Sequence, residues 1–424
     1  MTARPPVPGG PVLVVGLARS GVAALQALRA RGVEAVGVDA GTPAVAVDDV
    51  HLGTSGVELL GGVATVVKSP GVPHEAPVIV AARERGIEVM GEAELAWRML
   101  PNPFVAVTGA NGKTTTVELL GAIHRAAGVP VAVAGNVGTA LSGLDVPADT
   151  VIVAETSSFQ LEDTLDFAPD AAALLNLTAD HLDRHGTFAA YRAAKLHAFA
   201  RQTPDQLAVL PDGFSAPGDG RRVRFGGAPT ADMRLHDGWL IWAGEPLLAA
   251  DDVRLRGPHN LQNALAASAL ALARGIPAAS VAEALRTFAG VPHRMEEIAT
   301  HDGVLFINDS KATNVDSTLV ALRSFPARVR LILGGKCKRQ DFAPLGPEIA
   351  RRCASVHLIG EDGPQIGAAI GWTPFADGDL ETAVAHARSL ASPGDVVLLS
   401  PACASFDQFA SFEARGDAFR RIVG

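Results

Sequence analysis

"VAVTGANGKTTTVELLGAIH" spans residues 105–124, and the order of its residue types decides the architecture around it. Phe104 to Val107 has strand character, a turn of small residues follows, and Val117, Leu120 and Ile123 then recur on one helical stripe. A strand, a glycine turn and a helix N-terminus aim several free backbone N–H groups at one point. Phosphate is the usual occupant. Lys113 adds a mobile positive charge, and the Thr114 hydroxyl is placed to hold a magnesium ion. The full Walker pattern wants a glycine where Val107 stands, so "TGANGKTT" is a shortened relative of it. An ordinary glycine-rich αβ turn is the alternative.

A chain of 424 residues leads us to expect two to four domains. With 36 basic and 45 acidic residues its formal charge is −9, which argues against a nucleic-acid scaffold. Small anionic ligands in local basic pockets remain compatible. Cys337, Cys353 and Cys403 form no CxxC pair, so neither a disulfide framework nor a zinc site is signalled. "MTARPPVPGG" lacks the apolar core of a signal peptide, and the longest apolar helix candidate, Leu261 to Ala273, is too short for a bilayer. The expectation is a reduced, cytoplasmic, monomeric enzyme with neither nucleic-acid nor membrane partners. Only six residues are lysine, against thirty arginines: Lys68, Lys113, Lys195, Lys311, Lys336 and Lys338. Lysine is then kept where a compact or titratable amine matters, unless the six scatter by chance.

Alternating strand and helix patterns divide the chain into three αβ blocks. The first opens with "PVLVVG", a helix carrying Val22, Leu25 and Leu28 on one face, and "VEAVGVD"; it ends near the proline-rich "LPNPF". The second holds the phosphate loop, a turn-rich stretch with short strands over 203–257, as in "GWLIWAG", and helices near 259–274 and 280–288. "AGVPHR" reads as a linker to the third.

Several constellations could carry chemistry. "GLARSG" (16–21) has dinucleotide-loop spacing with Ala18 in the middle, and Asp39 ends the next strand. Another diphosphate, or a purely structural turn, fits as well. Glu155 ends the apolar run "TVIVAE", which suits a magnesium ligand or a buried structural acid. "NLTADHLDRH" concentrates Asp180, His181, Asp183 and His185; His181 is the one read as functional, the others as loop and cap residues. Asn260 and Asn263 share a helix face, free to meet a base or the backbone. "HR" (293–294), "NDSKATN" (308–314), "GGKCKRQDF" (334–342) and "SPACASFDQF" (400–409) are loops at strand ends, where open αβ sheets bind ligands.

Together with "AGNVG", "ETSSFQLE", "YRAAKL", "GPHNLQNALAA" and "PHR", these motifs run in one order over nearly the whole chain, which closely resembles the Mur ligase family. The resemblance implies an α/β fold of three domains. Residues 1–100 would form a Rossmann-like UDP-substrate domain, 101–290 a P-loop mononucleotide-binding domain for ATP, and 291–424 a Rossmann-like amino-acid domain. It implies a cytoplasmic ATP-dependent ligase joining D-glutamate to UDP-N-acetylmuramoyl-L-alanine, with two Mg2+ ions. Gly109, Asn111, Gly112, Lys113, Thr114 and Thr115 would hold the ATP phosphates, and Asn263, Arg294 and Asp309 the adenosine. Thr114 and Glu155 would bind one magnesium, His181 and Lys195 a second, and Lys311 would face the reacting phosphate. Arg19, Ser20, Asp39 and Gly71 would hold the UDP, with Asn136 and His181 at the muramoyl-alanine end. Thr313, Lys338, Ser405 and Phe412 would receive D-glutamate. Ala18, Ala40-Gly41 and Lys336-Cys337 depart from the pattern the family leads us to expect.

Lys195 carries a sharper expectation. Phe188, Tyr191, Lys195 and Phe199 fall on one helical stripe, which puts the lysine on the apolar face unless it snorkels to water. Burial favours a neutral amine, and a neutral amine can add CO2 to become a carbamate with oxygen ligands suited to magnesium. The resemblance implies the same modification. Two rival classes stay open from the residues: a nicotinamide dehydrogenase resting on "GLARSG" and Asp39, and a P-loop switch or transport ATPase. Among family members, the meso-diaminopimelate-adding enzymes carry an Asp-Asn-Pro-Arg loop that is absent here.

Overall fold

The computed structural model describes residues 4–45, 47–136, 138–337 and 340–424, the Asp183 side chain excepted. Lys338 therefore lies outside the described residues. The fold is α/β with three sheets. Strands β1 (Val12–Val15), β2 (Ala35–Asp39), β3 (Val50–Leu52), β4 (Thr65–Lys68) and β5 (Glu88–Gly91) form the first. All are parallel, in the order β3-β2-β1-β4-β5. Parallel neighbours need crossovers, supplied here by helices such as Arg19–Ala30 and Pro77–Glu84, and β1 and β4 are buried throughout. The strand order reverses between β1 and β4. Their carboxyl-end loops therefore meet: the Ser69 hydroxyl donates to Gly16 O at 2.6 Å.

The second sheet comprises β6 (Phe104–Thr108), β7 (Val131–Gly135), β8 (Val151–Glu155), β9 (Ala171–Leu174), β10 (Leu207–Pro211), β11 (Arg221–Gly226), β12 (Met233–His236), β13 (Trp239–Trp242) and β14 (Glu245–Ala249). Its order is β14-β13-β12-β11-β10-β9-β6-β8-β7, parallel from β7 across to β12 and closed by two antiparallel pairs. β6 lies between β8 and β9 and is buried at every position, which explains its unbroken apolar run. The stretch expected to be turn-rich with short strands extends this sheet by five strands.

These two sheets belong to one compact unit, Met1–Arg254 with Asn260–Phe288. They share a core in which Leu17, Leu25 and Leu28 join Trp97, Phe104 and Phe167. The "LPNPF" segment is packed into that unit: Asn102 is buried and donates to Pro147 O at 2.7 Å and Thr150 O at 2.9 Å.

The other unit is Leu255–His259 with Ala289–Gly424. Its sheet runs β15-β16-β20-β17-β18-β19, from β15 (Glu296–His301), β16 (Val304–Asn308), β17 (Val329–Gly334), β18 (Cys353–Ile359), β19 (Phe375–Gly378) and β20 (Val396–Leu399). Only the β15/β16 pair is antiparallel. No helix among the described residues is long and apolar enough to cross a membrane.

Candidate active site

The loop after β6 is shaped from both sides. Ala110 N donates to Asn176 O at 3.1 Å, Asn111 N to Asn176 Oδ1 at 2.9 Å, and Asn176 Nδ2 to Asn111 O at 3.0 Å. Gly112 has φ +86°, and a Cβ there would stand 2.2 Å from Asn263 Oδ1. The position needs glycine for its backbone conformation and for that approach. Asn263, itself buried, donates to Asn260 Oδ1 at 3.2 Å, so the two amides do share a face against the loop. The helix Lys113–Ala126 follows at once, with Thr114, Thr115 and Thr116 buried in its first turn.

Two lysines converge on one carbonyl. Lys113 Nζ donates to Gly109 O at 2.9 Å and to Ala110 O at 2.9 Å, and Lys195 Nζ reaches the same Gly109 O at 2.8 Å. Lys195 is 2 % exposed, on the helix Phe188–Ala200, with its ammonium 4.8 Å from the Tyr191 ring centre. Burial first, and the Lys113 charge second, bring its pKa down to about 7; Asp180 and Glu155 oppose the shift. The expected stripe holds for Tyr191, Lys195 and Phe199. Phe188, at the first turn, is 42 % exposed instead, because a helix start runs past the edge of the core.

Glu155, at the end of β8, is 2 % exposed. Its Oε1 accepts from Asn136 Nδ2 at 3.0 Å, while its buried Oε2 has no hydrogen-bond partner among the described residues. An orphan carboxylate oxygen is costly to bury and suits a cation. It is an oxygen donor of the kind magnesium takes. His181 caps the short helix Leu182–His185 with φ +52°, its side chain 48 % exposed, 3.4 Å from Asp180 Oδ2 and ring to ring with Phe159 at 4.8 Å.

In the first sheet, Asp39 holds the β1 loop. Its Oδ2 accepts from Leu17 N at 2.7 Å and its Oδ1 from Gly41 N at 2.8 Å. Arg19 and Ser20 open the helix Arg19–Ala30, and Arg19 Nη2 donates to Asn136 O at 3.1 Å. Gly71 sits exposed in the loop after β4. That loop is tied to the second sheet by a buried ion pair, Lys68 Nζ to Asp163 Oδ2 at 2.6 Å, with His74 Nε2 2.9 Å from Asp163 Oδ1. Lys68 thus has a structural partner 95 positions away in the sequence.

In the second unit, Asp309 is buried; Ser400 Oγ donates to its Oδ2 at 2.8 Å and Met295 N to its Oδ1 at 3.2 Å. Burial raises its pKa to about 7 against those bonds and the charges of Arg294 and Lys311. The folded value lies above the unfolded one, so this carboxyl stabilises most below pH about 4, and the contribution is lost as pH rises through about 7. Urea denaturation of the wild type and Asp309→Asn across pH 4–8 should show the wild type losing ground between about pH 4 and 7. The slope limit is about 1.4 kcal/mol per pH unit. A pH-independent difference would mean that Asp309 does not titrate there.

Ser405 is buried, with an Oγ that has no partner among the described residues. Phe412 begins the last helix, and its carbonyl accepts from Ser310 Oγ at 2.8 Å. Thr313 lies in the same "NDSKATN" loop, half-buried.

The Mur ligase middle domain matches residues 107–216, and the glutamate ligase domain of the Mur ligases matches residues 293–403. Over 449 aligned residues the chain is 43 % identical to the UDP-N-acetylmuramoylalanine–D-glutamate ligase of Pelotomaculum thermopropionicum, with 97 % of each chain covered. It is 41 % identical to the same-named enzyme of Acidobacterium capsulatum, covering 98 % of this chain and 96 % of that one. This chain belongs to the Mur ligase family. The fold is shared with UDP-N-acetylmuramate-alanine ligase MurC from Thermotoga maritima (TM-score 0.60, 19 % identity, 97 % and 98 % of the two chains). It is shared too with the MurF ligase of that organism in complex with ADP (TM-score 0.59, 18 % identity, 98 % and 94 %).

Sequence reasoning missed one residue of this Mur ligase that organises its last loops. Arg415 is 1 % exposed; its Nε donates to Ser310 Oγ at 2.9 Å, and its Nη2 to Ser310 O at 2.9 Å and Cys403 O at 3.0 Å. Burial lowers its pKa to about 10. It ties "NDSKATN" to "SPACASFDQF". An arginine in a polar helix reads as a wet-face residue, so no local signal marks it.

Proposed function

We propose that this chain is the ATP-dependent ligase that joins D-glutamate to UDP-N-acetylmuramoyl-L-alanine in peptidoglycan precursor synthesis. The observation that carries the reading is full-length identity above 40 % to relatives named for that reaction, together with a phosphate-type loop facing a buried orphan carboxylate. In this reading residues 1–100 are a Rossmann-like domain for the UDP substrate, 101–290 a P-loop domain for ATP, and 291–424 a Rossmann-like domain for D-glutamate. The enzyme works as a cytoplasmic monomer.

A carboxylate repels an attacking amine, so it must first be activated. The alanyl carboxylate attacks the γ-phosphorus of ATP, the bond to the β-phosphate oxygen breaks, and ADP leaves. The D-glutamate amine then attacks the acyl phosphate, loses a proton, and the tetrahedral intermediate expels inorganic phosphate. Two anions meet in the first step, which is why cations converge on Gly109 O. Lys113, with Gly109, Asn111, Gly112 and Thr115, cradles the phosphates. Thr114 and Glu155 would hold one Mg2+, and His181 with a carbamylated Lys195 a second; bound there, the ions would neutralise phosphate charge. Lys311 faces the reacting phosphate; Asn263, Arg294 and Asp309 hold the adenosine. Asn136 and His181 orient the alanyl end, and Arg19, Ser20, Asp39 and Gly71 hold the UDP. Thr313, Lys338, Ser405 and Phe412 receive D-glutamate, whose two carboxylates call for charge-assisted donors.

Lys338→Ala should raise the KM for D-glutamate or lower kcat/KM at least about tenfold, a loss of about 1.4 kcal/mol, while ATP affinity stays near wild type. Steady-state phosphate release with each substrate varied in turn checks it. A collapse of ATP affinity would assign Lys338 to the nucleotide.

A further inference from the structure

The sheet of the second unit ends on strand β19, and beside it three ligand-type side chains converge. Asp377, from β19, is flanked by two imidazoles: His357 Nδ1 lies 2.7 Å from its Oδ2, and His386 Nδ1 lies 2.8 Å from its Oδ1. His357 comes from β18 and His386 from the helix Leu380–Leu390. One ligand atom from each of the three lies within 4.8 Å of the others. None of these residues belongs to the reaction described above.

We propose that His357, Asp377 and His386 form a binding site for a divalent transition-metal ion of the zinc type, a structural clamp that ties β19 to β18 and the adjoining helix. Two imidazole nitrogens and one carboxylate oxygen are a zinc-like donor set rather than the all-oxygen set of magnesium or calcium. A second observation concerns the far side of the inner ring. His357 Nε2 is 2.9 Å from Ser355 Oγ, and that hydroxyl also accepts from Arg330 Nη1 at 3.3 Å. Without a metal the 2.7 Å contact is an Nδ1–H donated to Asp377 Oδ2; with an ion bound, the ring proton moves to Nε2, which donates to Ser355 Oγ and leaves the Nδ1 lone pair for the ion. Metal-bound histidines are held by such an outer hydrogen bond.

The surroundings fit a structural ion. His357 is fully buried and Phe375 walls the site, stacked on the His357 ring at 5.2 Å and 4.4 Å from that of His386. The His386 side chain is 34 % exposed, which leaves an entry path and room for water as fourth ligand. Bonds of 2.0–2.2 Å in a tetrahedron put ligand atoms about 3.3 Å apart. The present 2.7–2.8 Å spacings need to open by only about half an ångström, within reach of side-chain adjustment at an edge strand. Binding replaces the protons now shared between the imidazoles and Asp377.

The test uses the full chain stripped with chelator, held in excess Mg2+, and titrated with Zn2+ alone and then Co2+ alone. Calorimetry should show one zinc equivalent, Co2+ should give the strong visible bands of a four-coordinate ion, and zinc should raise Tm. His386→Ala and Asp377→Asn should each weaken zinc binding at least about tenfold and abolish the cobalt bands, while Glu155→Gln retains both. His386→Gln serves in place of His386→Ala should the latter not fold. No zinc equivalent in the wild type, or wild-type binding in a folded His386 variant, overturns the proposal.

Discussion

Lys113→Ala should fold like the wild type and release phosphate about 10²–10³-fold more slowly, the loss expected from one transition-state charge contact. The side chain is half-buried, donates to the Gly109 and Ala110 carbonyls of its own loop, and adds nothing to the apolar core. Stability should therefore barely move, which circular dichroism and Tm would show. Turnover should suffer because an ammonium at the helix N-terminus balances charge that develops on the transferring phosphoryl group. Wild-type phosphate release by a folded variant would remove the phosphate-loop assignment.

The second large effect belongs to Lys195. Its amine is buried beside another lysine and titrates near pH 7, so a sizeable neutral fraction exists at physiological pH. Below about pH 7 the ammonium dominates and CO2 cannot add; above it the carbamate can form. The modification would replace repulsion from Lys113 by attraction and supply oxygen ligands near Glu155. Lys195→Ala should lose at least about 10²-fold in activity, with partial rescue by small carboxylic acids. Lys195→Arg should stay inactive, because guanidinium holds its proton. Wild-type activity should also fall in CO2-depleted buffer and as pH drops through about 7. Full activity without CO2 would contradict the assignment.

Much of this site was legible because its chemistry is local. The strand-loop-helix around residue 110 appears as β6 and the helix Lys113–Ala126, and the terminal acid of "TVIVAE" is the buried Glu155. Period and turn chemistry act over a few residues, so one sequence displays them. What stayed hidden depends on residues far apart in the chain. Nothing near Lys68 announces Asp163, nothing near Arg415 announces Ser310, and the demand for glycine at 112 comes from Asn263. Short strands were legible in the turn-rich stretch over 203–257, but not that they extend the second sheet. Their pairing is set by neighbours across the sheet, not by their own pattern.

The proposed reaction couples ATP cleavage to amide formation with D-glutamate. The direct measurement is phosphate release by the purified chain with ATP, Mg2+ and UDP-N-acetylmuramoyl-L-alanine, across a panel of amino acids including D-glutamate, L-glutamate, L-lysine and meso-diaminopimelate. Sustained release is expected only with D-glutamate, matched mole for mole by a product heavier than the UDP substrate by one glutamyl residue. Sustained release without any amino acid, or coupling to a diamino acid instead, would contradict it.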